Sequence, residues 1–263
     1  MKKLIALSAV FLVGTALSSQ SAMVGYWNFD DGSANDSSGN ANNGTFQNGA
    51  SATANVANAT AGTMSLSVSG GSQHVLVPHD PSLSLSTEIT ITAWVNPVGS
   101  NWGGILAKSP SDGGGANHSG NYELRLQNNA GQNFQWLYEA GPGVNSTITL
   151  AGGVGPAIGQ WSHIALTHDS AGNFSLYING VQTSTAVAGT AFGQLTNSNP
   201  LYLGSRADLF TTFNGHLDEI SIWDEALSPQ QIADIHANGI IPEPATSLLG
   251  FLGVLGLVAR RRR

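Results

Sequence analysis

Glu88–Asn96 reads EITITAWVN, with a side-chain period of two. In an extended chain Ile89, Ile91, Ala93 and Val95 share one face, and Thr90, Thr92 and Trp94 share the other. Alternation rich in β-branched and aromatic residues marks a strand with one face turned to a core. Trp161–His168 (WSHIALTH) and Phe174–Ile178 (FSLYI) repeat it. Asn179-Gly180 then leads into Val181–Ala186, and Asn-Gly is the strongest short hairpin signal. Glycine, asparagine and serine clusters, notably Asp31–Asn43 and Ser109–Gly120, punctuate the rest. Many short strands between such turns predict an all-β, two-sheet antiparallel sandwich. One short helix is expected near the C-terminus. Ser228 caps it, Pro229 fits the first turn, Gln231 takes the capping-box position and Gly239 ends it. Ile232, Ile235 and His236 share one of its faces.

Both ends read as targeting segments. Lys2 and Lys3 precede an apolar core from Leu4 to Leu17 and small or polar residues through Ala22, a secretory signal peptide over 1–22. At the other end Pro242, Glu243 and Pro244 precede an apolar, glycine-punctuated run and four arginines, Arg260–Arg263. Ala245–Ala259 is fifteen residues, about 22 Å of helix, whereas a bilayer core of about 30 Å needs roughly 20 apolar residues. The expectation is a transient anchor. Tripeptide, apolar run and arginine block, in that order, resemble the PEP-CTERM sorting signal of Gram-negative bacteria. That resemblance implies an exosortase-type processing enzyme acting at Pro242, Glu243 and Pro244. It also implies transient inner-membrane anchoring and delivery to the cell surface, outer membrane or extracellular matrix. The sorting signal spans 242–263, which leaves 23–241 as a body of single-domain size.

Between 23 and 241 only Lys108, Arg125 and Arg206 are basic, against fifteen acidic residues, a net charge of −12. Such a surface repels phosphate backbones and anionic headgroups, which excludes nucleic acid as a partner. The chain has no cysteine, so thiolate nucleophiles and thiolate metal sites are excluded.

Six segments, in order, resemble the LamG-like jelly rolls of the concanavalin A-like lectin/glucanase superfamily. They are Gly25–Phe46 (GYWNFDDGSANDSSGNANNGTF), Ser67–Pro97, Gly159–Asp169 (GQWSHIALTHD), Phe174–Val181, Asn199–Arg206 (NPLYLGSR) and Phe213–Ile232. Ser67-Val68-Ser69-Gly70 departs from the pattern, standing where the family has an aromatic-Asp-Gly turn. The resemblance implies a first strand near Tyr26–Phe29 beside a last strand His216–Trp223. A structural calcium is implied where these termini meet, on Asp30 and Asp218 with a carbonyl such as that of Gly71. Asp30 and Asp31 also suit a turn without any metal.

Catalytic signals are thin. Paired glutamates around an aspartate, as in retaining glycosidases on this scaffold, are absent. Glu123 and Arg125 share a strand face and read as a surface ion pair. Asp218-Glu219 and Asp224-Glu225 are adjacent, so in a regular strand their side chains point to opposite faces. His163 and His168 are five apart and diverge, and strand-end histidines of this kind read as surface residues. Aromatics are the better clue, because sugars stack on exposed rings. Trp102, in SNWGG, and Trp136 with Tyr138, on one face of FQWLY, are the candidate ligand-binding residues. Trp27, Trp94, Trp161 and Trp223 suit core or sheet-packing positions, and Phe210 and Phe213 flank a Thr-Thr turn. The sequence therefore reads as an exported, non-catalytic binder of carbohydrate or exopolysaccharide. The alternatives are a polysaccharide-cleaving enzyme using Glu123 or Glu139, and a matrix protein without a specific ligand.

Overall fold

A computed structural model describes residues 23–85, 87–99, 102–108, 122–128, 133–141, 144–150, 155–187 and 197–240. The signal peptide and the sorting motif Pro242-Glu243-Pro244 lie outside them, as do the side chains of 139–150. In chain order the strands are β1 Met23–Trp27, β2 Thr45–Gln47, β3 Ser51–Thr53, β4 Ser65–Ser69, β5 His74–Val77, β6 Ile89–Pro97, β7 Gly103–Lys108, β8 Tyr122–Leu126 and β9 Phe134–Gly141. They continue as β10 Val144–Leu150, β11 Ser162–His168, β12 Asn173–Ile178, β13 Val181–Val187, β14 Leu201–Leu203 and β15 Asn214–Trp223, and one helix, α1 Pro229–Asn238, follows.

Two antiparallel sheets result. The first runs β13-β12-β11-β6-β15-β4-β3, with β1 also paired to β15; the second runs β10-β9-β8-β7-β14-β5-β2. Ile89, Ile91, Ala93 and Val95 of β6 lie in the core between the sheets, as the alternation requires. Each such aliphatic side chain, fully buried, contributes about 1.5–3 kcal/mol. The Asn179-Gly180 hairpin forms, with φ of 50° and 76° at its two turn residues. α1 carries the full capping box between Ser228 and Gln231 and covers the outer face of the first sheet. Ile232 packs there against Ala165 and Tyr177, and the His236 ring lies 5.5 Å from that of Trp94.

β15 organises the first sheet and is itself broken. Along one edge its first half pairs with β4, Leu217 opposite Leu66, and its second half with β1, Ile220 opposite Trp27. A bulge between Asp218 and Ser221 separates the halves, and Glu219 there has φ of 50°. Leu217 and Ile220 both face the core, so the two intervening acids sit together on the outer side. Opposite faces, expected for adjacent strand residues, is thus corrected for Asp218-Glu219 by the extra residue.

In the second sheet Tyr122, Leu124 and Leu126 of β8 and Phe134, Trp136 and Tyr138 of β9 point inward. Lys108, at the end of β7, is fully buried as well. Its ammonium donates to Asn197 Oδ1 at 2.8 Å, Asn199 O at 3.0 Å and Asn197 O at 3.2 Å. These bonds tie the approach to β14 onto β7. Burial pushes the Lys108 pKa down to about 8.

Candidate functional site

Two places gather polar chemistry. The first is the β15 bulge. Asp218 is fully buried; its Oδ1 accepts from Glu219 N at 2.8 Å, and its Oδ2 has no hydrogen-bond partner. Glu219 accepts from the Tyr26 hydroxyl at 2.5 Å. Asp30 lies just past β1, close enough for its charge to act on both. Burial first, and then the charges of Glu219 and Asp30, push Asp218 up to about 9. Burial and Asp30 raise Glu219 to about 7. A bulge at the point where the edge of β15 changes partners has therefore placed three carboxyl groups near one another.

Asp30 and Asp218 are brought into one neighbourhood, but Gly71 is not. Asp218 adjoins the Leu66 end of β4, whereas Gly71 lies beyond Ser69 at the opposite end, more than roughly 10 Å along the strand. The glycine that belongs to this site is Gly62. A Cβ built there would fall 2.2 Å from the Asp30 carboxylate. Asp30 Oδ1 then accepts from the amides of Thr63, at 2.5 Å, and Met64, at 3.1 Å. Among the described residues no three acidic or histidine side chains converge into a metal cage by themselves. Any cation would need backbone carbonyls or water beside Asp218 Oδ2 and Asp30, a mixture of oxygen donors that suits calcium.

The second place is the outer face of the second sheet. Because Leu124 and Leu126 point inward, Glu123 and Arg125 point outward. Glu123 nevertheless has only 3% of its surface exposed, so the expected solvent-screened surface pair is in fact buried. Arg206, arriving after β14, sets its Nε 2.8 Å from Glu123 Oε1 and its Nη1 2.9 Å from Asp208. Arg125 Nη1 stands 3.2 Å from Glu123, and its Nε donates to Gln135 at 2.9 Å. Burial pushes Glu123 up and the two arginines pull it back. Close approach of the loop 205–212 depends on Gly104, whose amide donates to Thr211 O at 3.1 Å. A Cβ at Gly104 would lie 2.6 Å from Arg206 N.

Aromatic rings border this network. Arg125 lies over the Trp102 ring, 5.0 Å from its centroid, and Trp102 is 43% exposed. Phe210 is 94% exposed on the same loop as Arg206 and Asp208. Its amide donates to Asp208 Oδ1 at 3.0 Å. Trp136 and Tyr138, expected on a ligand face, are core residues instead. Trp136 is fully buried, with Nε1 donating to His168 Nδ1 at 3.2 Å, and the Tyr138 ring packs edge-on to His168 at 4.7 Å. His163 and His168 do diverge, but both are buried rather than on the surface. Sequence reasoning missed Arg206, Asp208 and Gly62, because partners 83 and 33 residues away in sequence carry no local signal.

A profile for concanavalin A-like lectin/glucanases matches residues 69–233, more than half of the chain. The chain belongs to the concanavalin A-like lectin/glucanase superfamily. Residues 241–263 match the PEP-CTERM protein-sorting motif. Among solved structures, domain 4 of AbnA, a GH43 extracellular arabinanase from Geobacillus stearothermophilus in complex with arabinotriose, superposes with a TM-score of 0.63 at 19% identity. The match covers 82% of this chain and 98% of that one. The binding domain of Paraclostridial Mosquitocidal Protein 1 gives a TM-score of 0.61 at 15% identity, over 82% and 52% of the two chains. These identities establish a shared fold. Pappalysin-1 of Mus musculus is 32% identical over 85 residues, which is 31% of this chain and 5% of the relative. The human adhesion G-protein coupled receptor D1 is 30% identical over 91 residues, 34% of this chain and 10% of the relative. This superfamily member thus spans only a small fraction of either curated relative. No helix among the described residues is long and apolar enough to cross a membrane.

Proposed function

We propose that this superfamily member is an exported, non-catalytic glycan-binding protein, and that it reads carbohydrate on the outer face of the second sheet around Trp102. The observation that carries this reading is an exposed indole with the Arg125 guanidinium over its ring, at the border of a paired polar network. An aromatic platform with a few polar anchors is the usual construction of a sugar site. Two structures of the same fold lend the reading support: domain 4 of AbnA is in complex with arabinotriose, and cell entry of botulinum neurotoxin type C is dependent upon interaction with two ganglioside molecules.

A bond-breaking role is disfavoured by the chemistry of Glu123. A general acid or nucleophile must reach the scissile bond and exchange a proton. Glu123 is instead buried and held by two guanidinium groups. The test is binding of the full chain to an immobilised polysaccharide panel alongside a reducing-sugar and unsaturated-product assay. Retention without product supports the proposal; product formation lost in Glu123→Gln contradicts it.

At the β15 bulge Asp218 and Asp30 suit calcium, the orphaned Asp218 Oδ2 being the observation in its favour. Calcium there would neutralise the mutual repulsion of the three carboxyl groups and lock β1 against β15. Release through the PEP-CTERM signal by an exosortase-type enzyme, followed by residence at the cell surface or in matrix, is the delivery route that the sorting motif supports.

A further inference from the structure

Every permanent cation of the body is engaged by the body itself. Lys108, Arg125 and Arg206 are the only lysine or arginine residues between 23 and 241. Lys108 is sealed in the interior on carbonyl oxygens of Asn197 and Asn199. Arg206 spends its Nε on Glu123 and its Nη1 on Asp208. Arg125 spends its Nε on Gln135 and its Nη1 on Glu123, and sets its guanidinium carbon over the Trp102 ring. Among the described residues around the exposed ring, two positive and two negative side chains therefore sum to zero. Beyond them the body carries a net −12.

From this we infer that the glycan taken by the Trp102 face is an uncharged polysaccharide, and that uronate- or sulfate-bearing chains are rejected. The inference rests on the glycan-binding proposal and narrows it. Recognition of a carboxylate or sulfate draws on charge-assisted bonds from an arginine or lysine, commonly in a bidentate fork. Here each fork already grips a protein carboxylate or amide oxygen, and prising it away would leave Glu123 buried beside an unpaired charge. A polyanion would also approach a surface of its own sign. An uncharged sugar needs neither step. Its apolar face lies on Trp102, and its hydroxyls ask for no charged partner.

The test is affinity of the full chain for neutral glucan, arabinan and mannan against polygalacturonate, alginate and heparin. Each is measured with calcium and with EDTA, and with Trp102→Ala as the control for the face. The expected result is binding to at least one neutral glycan, lost in Trp102→Ala, with acidic glycans at least tenfold weaker. Neutral binding should change less than about twofold as salt rises from about 0.02 to about 0.5 M, which shortens the Debye length from about 20 Å to about 4 Å. Trp102-dependent binding that favours an acidic glycan, with calcium or without it, overturns the inference and leaves the glycan face standing. Binding to none of the six overturns both.

Discussion

The guanidinium carbon of Arg125 lies 5.0 Å from the Trp102 ring centroid, while its Nη1 is held 3.2 Å from Glu123 on the same strand face. A cation over an indole is worth about 0.5–1 kcal/mol at a part-exposed position. Its larger effect is orientation. The ring is fixed before ligand arrives, so less side-chain entropy is lost on binding. Glu123, through Arg125, is thus a positioning residue for an aromatic just ahead of the neighbouring strand β7.

Burial of Glu123 sets the cost of removing it. Glu123→Gln strips a shared counter-charge from Arg206 and Arg125, and a broken buried pair costs about 3–5 kcal/mol. Urea unfolding should show a loss of that size, partly restored when Arg206→Met is added, because the second change removes the stranded cation. A loss under about 1 kcal/mol would mean that water screens the pair.

The acidic junction makes a second prediction. Without calcium the folded state holds protons on Asp218, pushed up to about 9, that the unfolded chain releases near 3.8. Between those values the folded state binds more protons, so this group's contribution to stability falls as pH rises. Asp218→Asn should therefore raise the melting temperature in EDTA at pH 7 and flatten the pH slope. Calcium should raise the melting temperature of the unaltered chain by several degrees and that of Asp218→Asn hardly at all. Equal calcium shifts in the two proteins would remove Asp218 from the site.

His163 acts in the opposite direction. Burial, with a further push from His236, lowers its pKa to about 3 against an ordinary 6.5. Between pH 3 and 6.5 the unfolded chain takes up a proton that the folded chain refuses, so this contribution is lost as pH falls, at about 1.4 kcal/mol per unit. From pH 6.5 to 5 the unaltered chain should lose about 2 kcal/mol relative to His163→Asn in denaturant titrations. A pH-independent difference between the two would show that His163 ionises freely in place.

The sandwich was legible from residues because its signals are local. Period-two alternation in Glu88–Asn96, the Asn179-Gly180 turn and the Ser228–Gln231 capping box each act within a few residues, and each formed, although β6 is buried on both faces rather than on one. The pairing of β1 with β15 was implied by family resemblance and is present, with β1 at Met23–Trp27 rather than near Tyr26–Phe29. Sites were less legible because they depend on which face a strand turns inward. FQWLY alternates as well for an exposed Trp136 as for a buried one, and only the opposing sheet decides. The bulge at Asp218-Glu219 was also hidden, since nothing in LDEIS announces an extra residue before β1 and β4 compete for one edge.

Isothermal titration of the full chain with a bound neutral polysaccharide, comparing the unaltered protein with Trp102→Ala, tests the glycan face most directly. The expected result is at least a tenfold loss of affinity, about 1.4 kcal/mol, with the melting temperature lowered by no more than about 4 °C, because the ring loses its Arg125 contact but is not part of the core. Unaltered affinity in Trp102→Ala, with the polysaccharide still bound, would place recognition elsewhere on the molecule and contradict it.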